Sequence, residues 1–220
     1  MGRQIKLILD DCMNVIKDYS DNYFDLAVVD PPYGIELNYF NRPKSKYGKA
    51  HGHKRKYHLP SSLNNIKPNK EYFNELFRVS KNQIIFGGNY FIEYLYSTPC
   101  YIIWNKETTG NWADCEIAWT SFKSPAKIFT YRWNGMLQED MKNKEIKIHP
   151  TQKPVKLYRW LLHNYSKKNQ KILDTHLGSG SIAVACYYSD VDLVGIEIDE
   201  KYYNDAKLRV NELTKQKTLF

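Results

Sequence analysis

The last third of the chain alternates short apolar strand candidates with helix candidates, and this alternation restricts the fold more than any other feature. Residues 171–173 and 191–196 read as strands, and 179–188 and 199–213 read as helices. A further helix starts at Pro154 and runs through 165, since proline suits a first helical turn, where its missing N–H has no partner to lose. Asp199 caps the final helix. Strands that alternate with helices pair in parallel, joined by right-handed crossovers that place helices on both faces of the sheet. The expected class is α/β, with a mostly parallel sheet.

The first part of the chain extends this pattern. Residues 5–9 form a strand, and over 12–19 the side chains of Met13, Ile16 and Tyr19 share one helical face. Residues 24–29 are mostly apolar and end in Asp30 and two prolines. They suit a buried parallel strand with a rigid loop at its carboxyl end. Tyr72, Leu76 and Val79 fall at helical spacing within 71–80, followed by a strand at 83–86, Gly87-Gly88, a helix over 89–96 and a strand at 101–104. Strands at 116–122 and 126–131, joined by a turn at Lys123-Ser124-Pro125, are expected to form an antiparallel hairpin.

Between 37 and 70 the periodicity disappears: nine Lys or Arg occur without an acidic residue. We read one domain over residues 1–220, with 37–70 as a basic loop insertion. The net charge of +8 favours a polyanionic partner. Arg3 and Lys6 interrupt the N-terminal run, and no apolar stretch approaches the roughly 20 residues of a membrane span. The expected location is cytoplasmic, away from membranes. Cys12, Cys100, Cys115 and Cys186 lack paired spacing, which argues against zinc or a disulfide framework. His51, His53 and His58 have no cysteine or clustered acid nearby, and no metal is expected.

After the strand at 171–173 the chain reads Asp174-Thr175-His176-Leu177-Gly178-Ser179-Gly180 and enters a helix. Glycines permit a tight turn and close ligand approach, and Glu197, about 20 residues on, can hold both hydroxyls of a ribose. Gly178-x-Gly180-x-x-Ala183 also fits a dinucleotide fingerprint, so an oxidoreductase competes. Asp174 argues against it, because a carboxylate there repels a pyrophosphate but pairs with an ammonium group. S-adenosylmethionine carries that ammonium group and no phosphate.

Asp30-Pro31-Pro32-Tyr33 suits a different task. An exocyclic amine on an aromatic base is a poor nucleophile, its lone pair being delocalised into the ring. Hydrogen bonds accepted from both N–H groups, by the Asp30 carboxylate and the Pro31 carbonyl, shift the nitrogen toward tetrahedral geometry. The prolines hold these acceptors in place in advance. Tyr33 offers a flat face on which a base rotated out of a duplex can stack, worth roughly 1–3 kcal/mol.

Together, Asp30-Pro31-Pro32-Tyr33-Gly34 and the 174–180 segment resemble the amino-methyltransferases of DNA, in particular the circularly permuted beta class, over nearly the whole chain. The resemblance implies a Rossmann-like, S-adenosylmethionine-dependent fold with the catalytic motif first and the cofactor motif last. It implies catalysis by Asp30, Pro31, Pro32 and Tyr33, and cofactor binding by Asp174, Thr175, His176, Gly178, Ser179, Gly180 and Glu197. His149-Pro150-Thr151-Gln152-Lys153-Pro154 resembles the family's third cofactor element, with Thr151 and Lys153 as partners of the cofactor carboxylate. Asp11 matches a position where the family uses an acid near the adenine, although a helix N-cap explains it almost as well. Residues 84–91 and Trp104-Asn105-Lys106 look like framework, with Trp104 in the core.

Double-stranded DNA is the expected partner. Arg42, Lys44, Lys46, Lys49, Lys54, Arg55 and Lys56, interleaved with Tyr39, Tyr47 and Tyr57, are placed to neutralise phosphates beside the catalytic loop. Base readout falls to this loop or to 132–147, which contains Trp133, Asn134 and Gln138. A homodimer and a cognate restriction endonuclease are further partners that the resemblance brings into consideration. Adenine N6 is the expected target, because cytosine-N4 members of the class more often carry serine where Asp30 stands. Cytosine N4, RNA and a protein glutamine amide remain as alternative substrates. Outside enzymes, the alternative is a catalytically silent DNA-binding partner subunit.

Overall fold

The computed structural model describes residues 3–35, 66–108, 113–134 and 137–215. Among the described residues, ten strands and five α-helices follow one another: β1 (Ile5–Leu9), α1 (Cys12–Ile16), β2 (Leu26–Val29), α2 (Lys70–Val79), β3 (Gln83–Phe86), β4 (Tyr101–Asn105), β5 (Cys115–Thr120), β6 (Lys127–Thr130), β7 (Trp133–Asn134), β8 (Leu137–Gln138), α3 (Val155–Tyr165), β9 (Lys171–Asp174), α4 (Ser181–Tyr188), β10 (Asp192–Glu197) and α5 (Glu200–Thr214). Eight strands form one sheet in the order β1-β10-β9-β2-β3-β5-β4-β6, and β7 pairs with β8 separately. Every neighbouring pair in the large sheet is parallel except the two that β5 makes, with β3 and β4.

The central strands are apolar throughout because both faces are covered. On β2, Leu26 and Val28 pack with α3, α4 and α5, whereas Ala27 and Val29 pack with α1 and α2. The two cores lie on opposite sides of the sheet, as the strand's period of two requires. Pro154 is the N-cap of α3, and Asp199 caps α5 by accepting the Tyr202 N–H at 3.0 Å.

Two expectations need correction. The strands at 116–122 and 126–131 exist but do not pair: β4 lies between them, antiparallel to β5 and parallel to β6. The antiparallel hairpin is therefore β4–β5. β4 buries Ile102 and Trp104 and takes the interior position, whereas β6 is short, largely exposed and carries Lys127, features suited to a sheet edge. The helix expected over 89–96 is a single 3₁₀ turn, Gly88–Tyr90. Gly87 enters it with φ +68°, Phe91 is drawn fully into the core, and the Tyr96 carbonyl accepts the Trp119 indole N–H at 2.9 Å. These tertiary contacts outweigh the weak helical preference of an aromatic-rich segment. The helix expected over 12–19 also stops early, at Ile16.

Candidate active site

Strand direction gathers the candidate residues at one edge of the sheet. β1, β2, β9 and β10 run parallel, so Asp10, Asp30, Asp174 and Glu197, at or just beyond their carboxyl ends, share that edge. β5 runs the other way and starts there, bringing Glu116, while β4 ends there and brings Lys106.

A cleft of about 320 Å³ opens at this edge, lined by Asp10, Asp11, Pro32, Tyr72, Thr175 and Glu197, among others. Its described lining carries these three carboxylates against one lysine, Lys67, and His176 is held neutral there because burial lowers its pKa to about 4. Such a lining disfavours phosphates and suits a cation, which fits S-adenosylmethionine and not a dinucleotide.

Individual residues sharpen this fit. Glu197 Oε2 accepts the Gly178 N–H at 2.8 Å and Oε1 the Asp199 N–H at 3.0 Å, which fixes the carboxylate while leaving each oxygen a second lone pair. Asp174 is 2% exposed; burial pushes its pKa up to about 8, against the lowering effect of the His176 N–H, with the charges of Asp30 and Glu197 adding to the rise. Thr175 Oγ1 meets the Tyr72 hydroxyl at 2.7 Å and His176 Nδ1 at 2.9 Å. Gly178 and Gly180 have φ of +53° and +70°, which explains why glycine occupies both positions. Ser179 is buried, its hydroxyl 3.1 Å from that of Ser181. Asp11 accepts the Met13 N–H at 2.8 Å, so it is both a helix cap and part of the cleft.

The 149–154 segment lies against the glycine loop. A Cβ on Gly178 would stand 3.7 Å from the His149 ring, and Ser181 Oγ donates to the Lys153 carbonyl at 2.7 Å. Thr151 is exposed, with its hydroxyl 3.1 Å from His149 Nδ1.

Lys153 points to the loop that carries Asp30. Its ammonium donates to Asp30 Oδ2, stands 3.2 Å from Glu116 Oε2 and lies 4.6 Å from the centre of the Phe86 ring. Burial favours its neutral form, but the charges of Asp30 and Glu116 outweigh burial and raise its pKa. Tyr33 donates its hydroxyl to Asp30 Oδ1 at 2.6 Å, and its ring stacks on Tyr90 at 4.9 Å. Burial and the Asp30 charge push the Tyr33 pKa well above the usual tyrosine value. Gly87 makes this ring position possible, since a Cβ there would come within 2.2 Å of Tyr33 Cε1.

Pattern and spacing did not signal Tyr72, Tyr90, Lys106 or Glu116. Tyr72 shows in the sequence only helical spacing with Leu76 and Val79, and the two charged residues meet only through the β4–β5 register. Gln138 is buried, and its side-chain amide donates to the Glu145 carbonyl and accepts the Glu145 N–H, each at 2.8 Å. Trp133 is buried, with its indole N–H on the Gln152 carbonyl. Trp104 is in the core, as expected. Arg42, Lys44, Lys46, Lys49, Lys54, Arg55 and Lys56, with the neighbouring histidines and tyrosines, lie outside the described residues. Among the described residues no cluster of three or more His, Cys, Asp or Glu is placed to hold a metal, and no helix is long and apolar enough to cross a membrane.

Comparison with known proteins supports the same chemistry. The family model of N6 and N4 methylases, described as DNA methylase, matches residues 43–208. The type II methyltransferase M.HpaI of Haemophilus parainfluenzae is 24% identical, over 94% of this chain and 74% of its own length. A putative DNA modification methylase of Thermus thermophilus, crystallised with S-adenosyl-L-methionine, superposes with a TM-score of 0.58 at 16% identity, covering 97% of each chain. The cytosine-N4-specific PvuII DNA methyltransferase superposes with a TM-score of 0.62 at 10% identity, covering 98% of this chain and 93% of its own. With the family model spanning most of its length, this chain belongs to the N6/N4 DNA methylase family.

Proposed function

We propose that this protein transfers a methyl group from S-adenosylmethionine to the exocyclic N6 of an adenine rotated out of duplex DNA. The observation that carries the reading is Asp30, held by Tyr33 and Lys153 at the carboxyl end of β2, at the same sheet edge as the acidic cleft. When bound, S-adenosylmethionine supplies an electrophilic methyl group on a sulfonium. Asp174 would hold its ammonium group, Glu197 its ribose hydroxyls and Asp11 its adenine, while Thr151 remains the proposed partner of its carboxylate. The Thr175 to Gly180 loop would help to hold it.

Asp30 and the Pro31 carbonyl accept hydrogen bonds from the two amine N–H groups, and the Tyr33 hydroxyl fixes the rotation of the Asp30 carboxylate. Pro31 is buried and Pro32 lines the cleft, so the loop excludes water as it orients the amine. Lys153, assigned in the sequence to the cofactor carboxylate, is better supported as a partner of Asp30. The catalytic motif preceding the cofactor motif supports the permuted beta arrangement in one domain. The basic insertion at 37–70 is proposed to face DNA, and the enzyme is proposed to act in the cytoplasm.

Cytosine N4 is the second reading, favoured by the likeness to a cytosine-N4-specific enzyme. Purified protein with labelled cofactor, offered duplex DNA, RNA and protein, separates the substrate classes, and nucleoside analysis of the DNA separates the bases. N6-methyladenine is expected; N4-methylcytosine alone sinks the adenine assignment. Asp30→Ala is expected to lose turnover by about 10²-fold or more while keeping cofactor affinity, since its hydrogen bonds strengthen in the transition state. Turnover equal to wild type in that variant removes Asp30 from the mechanism.

A further inference from the structure

Asp30 sits in a chain of charges. Lys106 Nζ is 3.0 Å from Glu116 Oε1, Glu116 Oε2 is 3.2 Å from Lys153 Nζ, and Lys153 donates to Asp30 Oδ2. Both Asp30 oxygens therefore already accept a hydrogen bond, one from Tyr33 and one from Lys153. An amine seeking Asp30 must share an oxygen with, or replace, a buried ammonium whose side chain is 3% exposed.

Glu116 offers that ammonium another place. Its Oε2 is shielded from solvent and is ion-paired with Lys153 Nζ at 3.2 Å, in an alignment short of a well-formed hydrogen bond that a small rotation of the ammonium would complete. A buried carboxylate oxygen gains from a well-aligned hydrogen bond, so Glu116 Oε2 favours a closer approach of the ammonium. Lys106 anchors the other oxygen, and the two lysines together outweigh burial to lower the Glu116 pKa, which keeps it charged.

We infer that Glu116 is a positioning residue that receives the Lys153 ammonium when Asp30 engages the target amine, so that Lys153 has two seats and Glu116 frees the catalytic carboxylate. In the first seat Lys153 stabilises the Asp30 charge in a partly buried site. In the second it leaves an Asp30 lone pair directed at the amine, and its positive charge stays within the cluster. The inference rests on the proposed role of Asp30 in methyl transfer, whether to adenine or to cytosine.

The test is a double-mutant cycle on methyl transfer to duplex DNA. Glu116→Gln keeps the shape and removes the charge; it is expected to lower kcat roughly tenfold with cofactor Kd and KM changed less than about twofold. In a Lys153→Met background, where Asp30 no longer has an ammonium to release, adding Glu116→Gln is expected to change kcat less than about twofold. Equal losses in both backgrounds overturn the inference, because they mark a general structural role for Glu116. A crystal structure of the wild-type protein with a cofactor analogue and its DNA gives an answer independent of how the variants fold. Lys153 Nζ hydrogen-bonded to Glu116 and separated from Asp30, with the amine on Asp30, supports it; Lys153 still on Asp30 beside the bound amine overturns it. Wild-type protein that binds cofactor and duplex but transfers no methyl group refutes the proposed function itself, and the inference with it.

Discussion

Asp174 illustrates how one buried side chain links the glycine loop to ligand choice. Its carboxyl is raised from an ordinary value near 3.8 to about 8, chiefly by burial. A carboxyl raised in the folded state contributes stability below the unfolded pKa, and that contribution fades as pH rises through about 8. A bound ammonium group reverses the balance, favouring the ionised form. Binding S-adenosylmethionine at pH 7 is therefore expected to release about one proton from this site, measured calorimetrically in buffers of different ionisation enthalpy. Asp174→Asn should abolish that release and weaken binding; an unchanged release in the variant removes Asp174 as its source. The chemistry of Asp174 was legible from its position before the glycines. That of Glu116 and Lys106 was not, because two residues ten positions apart in a polar stretch carry no spacing that announces a buried contact.

At the level of elements, the strands were the most readable part. β1 and β3 have the residues their apolar patterns predict, and α2, α3 and α5 lie within a residue or two of the predicted bounds. The pairing of β5 was not readable, since a turn at Pro125 is equally compatible with a hairpin and with a crossing beneath β4. The short turn after Gly87 was missed for a related reason: what stops the helix is the fit of Tyr33 over Gly87 and of Phe91 into the core, contacts between distant segments. Gly87→Ala tests this fit. Its φ of +68° and the 2.2 Å approach of its would-be Cβ to Tyr33 should cost about 1–3 kcal/mol in chemical denaturation. The same substitution should lower turnover by displacing the hydroxyl that orients Asp30. Wild-type stability and rate in Gly87→Ala contradict the packing described.

For the molecule as a whole, three carboxylates line the cleft while the net charge is +8, with nine Lys or Arg and no acid between residues 37 and 70. This division suits a protein that holds a small cation and approaches a polyanion. DNA affinity should fall steeply with salt, with a log–log slope of about −6 when all seven basic residues between Arg42 and Lys56 meet phosphates. Neutralising three of them should reduce that slope to about half; an unchanged slope places the DNA contacts elsewhere. The central claim, methylation of adenine N6 through Asp30, is tested most directly by modified-base sequencing of DNA from cells expressing the wild-type protein or Asp30→Ala. The account predicts N6-methyladenine within one short sequence context in the first and none in the second; unmodified adenine in the first, or N4-methylcytosine in its place, would contradict it.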